Sequence, residues 1–197
     1  MRTLVTVAER SCPVAREVTR RAGVALGVPA VATWPADLPA ALRRSGGTPV
    51  LVPLQLNAAG GFGPTLGPHP LLAAAQAARL LAAGVRAGRP VVMVAAGSED
   101  HDAQERLDRA AALLADTWTG PVRLATTAGP GPRPEEVIGR GTVVTPYVLA
   151  PGADAEALRG RAAAAGAAVV AEPIGAHRFV ADLVARRFRA VQHSAAA

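Results

Sequence analysis

The 197-residue chain contains no lysine; all 21 of its cationic side chains are arginine. Replacement of one cation by the other throughout points to a compositional bias, so the sequence pI near 11.2 overstates functional basicity. The net charge of +6 still favours anionic partners such as polycarboxylates, phosphates or nucleic acid. Aromatic residues make up only 3%. With no basic run interleaved with aromatics to stack on bases, nucleic acid is not expected as a partner. The densest basic cluster, Arg186, Arg187 and Arg189, reads as a solvated helix face. One cysteine, Cys12, excludes an intramolecular disulfide and suits a reducing compartment. No apolar run approaches the roughly 20 residues that span a bilayer. Met1-Arg2-Thr3-Leu4 passes directly into a strand pattern without a secretory apolar region. These features lead us to expect a soluble cytoplasmic protein with no membrane partner.

Hydrophobic residues account for 50% of the chain and charged residues for 18%, a globular composition. Short apolar runs alternate with amphipathic stretches, the pattern of a parallel sheet covered by helices. Strands are predicted near 3–8, 30–34, 49–54, 90–95, 121–126, 142–148 and 168–171. Helices are predicted near 13–26, 36–44, 70–83, 101–117, 153–165 and 177–191. Leu107, Ala110, Ala111 and Leu114 fall on one helical face, as do Val180, Leu183, Val184, Phe188 and Val191.

The two halves align with each other as an internal repeat. Val5 to Ser11 matches Val92 to Ser98 at an offset of 87, and Val50 to Leu56 matches Val143 to Leu149 at 93. Leu66-Gly67-Pro68-His69-Pro70 matches Ile174-Gly175-Ala176-His177-Arg178 at 108. Segment order is kept while the offset grows, which locates insertions or deletions. The last step is the informative one. Pro151 to Pro173 has room for a helix and a strand, whereas Ala58 to Thr65 is a short glycine-rich stretch that can form only a loop. The expected architecture is therefore α/β, with two pseudo-twofold-related halves, each a parallel sheet flanked by helices. The first half should lack about one helix and one strand. Expected boundaries are 1–87 for the N-terminal half, 88–192 for the C-terminal half, and 193–197 for a disordered tail.

Four motifs occur in order: Leu66-Gly67-Pro68-His69-Pro70, Val94-Ala95-Ala96-Gly97-Ser98-Glu99-Asp100, Thr145-Pro146-Tyr147-Val148-Leu149-Ala150-Pro151-Gly152 and Glu172-Pro173-Ile174-Gly175-Ala176-His177. Together they resemble the sirohydrochlorin cobalto/ferrochelatase (CbiX-type) family of class II chelatases. The resemblance implies two similar halves facing across a cleft, and insertion of a divalent metal into a polycarboxylate tetrapyrrole without ATP. Family members usually open with a strand running into Ala-His-Gly-Ser, whose histidine binds the metal and accepts a proton. Here those positions read Ala8-Glu9-Arg10-Ser11, so Glu9 stands in place of the histidine. A second family histidine falls in the shortened region, where the nearest counterpart is Gly60-Gly61.

The residues set out a candidate site. Glu9 could accept a proton or ligate a metal, although imidazole suits Fe, Co and Ni better than carboxylate does. The bland alternative is a solvated or Arg10-paired carboxylate. His69 and His177, each behind a glycine (Gly67, Gly175) at a helix start, could meet substrate carboxylates, or could simply cap the helix. Ser11 and Ser98 are further substrate-binding candidates. Glu99-Asp100-His101-Asp102 offers donors to a cation, with His101 the metal candidate, or else a helix cap with first-turn acids. Cys12, before Pro13, has no assignable catalytic partner. Two functions compete: a chelatase acting on Co2+ or Fe2+ (or Ni2+) as substrate with no organic cofactor, and a silent paralogue that binds tetrapyrrole or regulates. A third option is a diverged enzyme of secondary metabolism using the same cleft. Loss of a helix from the first half would uncover apolar surface, so a homodimer or partner chain is expected to cover it.

Overall fold

The computed structural model describes residues 1–57 and 63–194. The first sheet is built on β1 (Arg2–Val7), flanked by β2 (Ala30–Thr33) and β3 (Thr48–Pro53) in the order β2-β1-β3. The second is built on β4 (Val91–Ala95), with β5 (Val122–Thr126), β6 (Val143–Pro146) and β7 (Val169–Val170) in the order β5-β4-β6-β7. Every described pairing is parallel. Central strands buried on both faces read as continuous apolar runs, which is why Leu4-Val5-Thr6-Val7 and Val91 to Ala95 are so uniform. The threonines of β1 are satisfied: Thr6 shares a 2.5 Å hydroxyl contact with Thr19, and Thr3 donates to the Ser45 carbonyl at 2.7 Å.

Helix α1 (Pro13–Leu26) starts on the favourable Pro at its first turn and stops at Gly27, which adopts a left-handed φ of 65°. It buries Ala15, Val18, Thr19, Ala22 and Gly23, one stripe at helical spacing. A Cβ at Gly23 would stand 2.5 Å from that of Ala30, so glycine lets α1 lie close on β2. The short α2 (Leu38–Arg44) follows a 3-10 turn at Pro35–Asp37. Then come α3 (Pro70–Ala82), α4 (His101–Trp118), the four-residue α5 (Pro134–Val137), α6 (Ala153–Ala164) and α7 (Arg178–Ser194). Sequence periodicity missed α5, which is too short to show a period. It also ended α7 early: His193 lies within the helix rather than in a tail, and 195–197 lie outside the described residues.

Residues aligned at the sequence offsets make matching bonds. Val5 pairs with Leu51 in the first sheet, and Val92 with Val144 in the second. Leu54 N–H donates to the Val7 carbonyl at 2.9 Å, and Tyr147 N–H to that of Val94 at 2.8 Å. Between β6 and α7 stand α6 and β7. Between β3 and α3 the described residues hold neither helix nor strand. Gly60-Gly61 and the rest of 58–62 lie outside the described residues.

The chain forms two compact units, and neither is a contiguous half. One holds Met1–Leu66 with the segment from Ala176 onward, and the other holds Gly67–Gly175. Relative to the expected division 1–87 and 88–192, the units trade a helix: α3 goes with β4–β7 and α7 with β1–β3. The packing gives the reason. In the first unit α7 lies against α1 and β3, burying Val180, Leu183, Val184 and Phe188. In the second α3 lies against α4, burying Leu72, Ala73, Ala75, Gln76 and Leu80. One face of the second sheet is an apolar cluster of Val92, Val94, Ala125 and Val144 with Leu158 and Ala162 of α6.

Two carboxylates are held near pKa 2, below the ordinary 4.5. Glu135 is lowered chiefly by its two-pronged bond to Arg161, at 2.6 and 2.8 Å, and Glu17 by its bonds to Arg20 and Arg21. A carboxylate whose folded pKa is depressed contributes stability above the unfolded value and loses it as pH falls through the folded one. Thermal stability should therefore decline between about pH 4.5 and 2, and the combined Glu17→Gln, Glu135→Gln variant should show a flatter profile by calorimetry. An unchanged slope would remove both pairs from the account. Both are exposed, so the effect should be modest.

Candidate functional site

In open parallel sheets, ligands bind beyond the carboxyl ends of the strands. Glu9 occupies that position after β1, exposed, one residue past the buried Ala8. Its repeat equivalent after β4 is Ala96. There the backbone is tied down: the Ala96 carbonyl accepts from Ala128 N–H at 2.8 Å and from the Thr127 hydroxyl at 2.9 Å. Gly97 adopts φ 79°, and a Cβ there would overlap the Ala128 carbonyl, so the turn requires glycine. Ser11 and Ser98, equivalent in sequence, both accept hydrogen bonds, from Arg16 Nη2 at 2.7 Å and from Asp100 N–H at 3.1 Å respectively. A hydroxyl that accepts still has its own hydrogen to donate, so neither bond rules out a ligand contact.

His69 and His177 have one local role. His69 is the N-cap of α3, its Nδ1 accepting from Leu71 N–H at 3.1 Å, and His177 Nδ1 accepts from Phe179 N–H at 3.3 Å. The His69 carbonyl accepts from Leu72 and Ala73, and the His177 carbonyl from Val180 and Ala181. An Nδ1 that accepts carries no proton, so the neutral ring is protonated at Nε2. In that tautomer Nε2–H is a hydrogen-bond donor. To ligate a metal through Nε2, either ring would have to change tautomer and give up its cap.

His101 opens α4 and is 84% exposed, with Nε2 3.2 Å from Glu105 Oε1. Asp100 caps that helix, its Oδ1 accepting from Asp102 N–H at 2.9 Å. The acidic run at 99–102 thus forms a helix start. Cys12 caps α1, its sulfur accepting from Ala15 N–H at 3.4 Å. Among the described residues no three His, Cys, Asp or Glu side chains come together as a metal ligand set. Glu9, Ser11 and His177 belong to the first unit; Gly67, His69, Ser98, His101 and Gly175 belong to the second.

Sequence reading missed two arginines that position the histidine turns. Leu66 and Ile174 are fully buried equivalents. Leu66 N–H donates to the Gln55 carbonyl at 2.8 Å, and Ile174 N–H to that of Val148 at 3.0 Å. Their own carbonyls accept from arginines: Leu66 from Arg187 Nη2 at 3.5 Å, and Ile174 from Arg79 Nε at 3.0 Å. Arg79 and Arg187 stand at the same offset of 108 as the turns they hold. Arg187, read from sequence as part of a solvated face, is half-buried and turned inward. Arg21 Nη1 adds a bond to the Ala176 carbonyl at 2.8 Å. The repeat offset itself was the signal that could have found this pair.

A polar layer underlies the carboxyl end of β4. Thr126 pairs with Ala95 and Thr145 with Met93 on the same face, and Tyr147 follows β6, its N–H bonded to the Val94 carbonyl. Their hydroxyls are buried without hydrogen-bond partners among the described residues. Burial pushes the Tyr147 pKa upward, so its hydroxyl stays protonated.

No family model and no curated protein matches the sequence. Solved structures do match. SirB from Bacillus subtilis with Fe3+ aligns at TM-score 0.74 and 18% identity, over 95% of this chain and 94% of its own. CbiX, described as the terminal enzyme for siroheme biosynthesis in denitrifying bacteria, aligns at 0.72 and 17%, over 96% and 99%. The fold is that of the sirohydrochlorin chelatases. A multi-domain Deinococcus radiodurans protein with structural similarity to chelatases aligns at 0.65 and 21%, over 93% of this chain but 53% of its own. The chelatase fold accounts for the two parallel sheets flanked by helices. No helix among the described residues is long and apolar enough to cross a membrane.

Removing a histidine cap should cost about 1 kcal/mol. His69→Ala and His177→Ala should each lose roughly that in denaturant unfolding, and His69→Asn should retain most of it. Two-bond proton–nitrogen NMR should find both rings protonated at Nε2; the Nδ1-protonated tautomer would contradict the assignment.

Proposed function

We propose that the chain binds an anionic, sirohydrochlorin-like tetrapyrrole and inserts Co2+ or Fe2+ into it without an organic cofactor, the metal being a substrate. The observation that carries this reading is the position of Glu9 at the carboxyl end of β1 in a chain with the chelatase fold. Insertion requires a base to take the pyrrole protons and a donor that holds the metal loosely enough to release it. Glu9 can serve in both capacities. The Nε2–H groups of His69 and His177, with the hydroxyls of Ser11 and Ser98, would bind substrate carboxylates. Gly67 and Gly175 shape the turns that carry the two rings. The shared bonding of the two sheets supports their origin as copies of one unit, and the setting is the cytoplasm.

A specific observation favours a second reading. The described residues hold no three-ligand metal cluster, so the protein could be a silent paralogue that binds tetrapyrrole as a carrier or regulatory subunit. Purified protein, sirohydrochlorin and Co2+ or Fe2+, followed by absorbance, separates the two. The chelatase reading predicts insertion faster than the spontaneous rate, reduced about a hundredfold by Glu9→Gln. Tight tetrapyrrole binding without acceleration would establish the silent paralogue; neither binding nor turnover would eliminate both.

A further inference from the structure

The two edges of the first sheet differ in what they offer another strand. Thr48 N–H donates to the Met1 carbonyl and Leu54 N–H to that of Val7, so even-numbered residues of β3 face β1 and odd-numbered ones face outward. The outward residues are Pro49, Leu51 and Pro53, which leave one backbone donor between them. Prolines on outward positions protect an edge. Strand addition is therefore disfavoured at β3, the edge where loss of a helix and strand leads one to expect a partner.

The β2 edge is open. Leu4 N–H donates to the Pro29 carbonyl and Ala8 N–H to that of Thr33, so residues 29, 31 and 33 face β1. Ala30 and Ala32 face outward with both donor and acceptor intact, and no described strand pairs with them. Alongside runs a groove of about 720 Å³ between α1 and β2, lined by Ala30, Val31, Ala32 and Trp34 on one side and Arg16, Arg20 and Val24 on the other. Val24 is 72% exposed, an apolar side chain left in water. Two guanidinium groups line it, and Glu17, outside the lining, bonds Arg20 and Arg21, so α1 sets three arginines against one carboxylate. Arg16 bonds Ser11 and Arg20 bonds Glu17, and both are on the exposed face of α1.

We propose that this groove is a docking site for an extended acidic segment of a partner protein, which adds as a strand to β2. Backbone groups of Ala30 and Ala32 pair with the segment, Val24 and Trp34 take its apolar side chains, and Arg16 and Arg20 meet its carboxylates. A second copy of this chain fits less well, because it would bring two net-positive α1 helices together.

The test uses the full chain with a fluorescein-labelled peptide of alternating valine and glutamate, read by anisotropy. Binding should weaken with added salt and drop about tenfold for Ala32→Pro, which deletes one outward donor. Proline is tolerated at such positions, as Pro49 and Pro53 show. Two further arms leave the β2 backbone untouched. An N-methylated version of the peptide should not bind, and Arg16→Gln with Arg20→Gln should weaken binding of the unmodified one. Equal binding of a valine–lysine peptide, full binding of the N-methylated peptide, or no binding at all would overturn the proposal. So would a dimer in sedimentation that Ala32→Pro dissociates, since the occupant would then be a second copy.

Discussion

Two buried peptide groups hold this structure at the points where the chain passes from one unit to the other. Leu66 and Ile174 each donate to the loop after their own sheet, and each accepts from an arginine on the helix that comes from the opposite half of the sequence. A buried carbonyl without a partner costs more than a formed bond contributes, so the arginine is required once the turn is buried. With the turn fixed, the next residues can be spent on a cap. His69 and His177 then start α3 and α7, and each helix completes the unit of the other half.

This exchange explains how a shortened repeat still folds. Among the described residues the first sheet has three strands where the second has four, yet part of its helix cover, beside α1, does not come from its own half. It is supplied by α7, whose buried stripe of Val180, Leu183, Val184 and Phe188 was shaped for that surface. Loss of a strand and a helix next to β3 removes material from one edge and leaves the turn, the cap and the swapped helix in place. The prolines at 49 and 53 then protect the edge that remains.

Much of this was legible in the sequence because it rests on local pattern. Seven strands and the long helices followed from apolar runs and periodicity, and the segments aligned at offsets 87 and 93 proved to pair in equivalent register. The chelatase resemblance was carried by turns and caps, which are local too. The helix exchange was hidden because an amphipathic stripe says that a helix is buried and does not say against what. Arg79 and Arg187 were missed for a related reason: an arginine that bonds a carbonyl 95 or 121 residues away leaves no short-range signature. The candidate site was legible as a set of residue types, while the tautomers that divide carboxylate donors from metal ligands needed the capping geometry.

The reciprocal exchange of α3 and α7 is the claim on which the rest stands, and native-state hydrogen exchange tests it directly. Amides of α7 should open together with those of β1 and β3 as denaturant is added, and amides of α3 together with those of β4 and β6. The reverse grouping, α3 opening with β1–β3 and α7 with β4–β7, would contradict it.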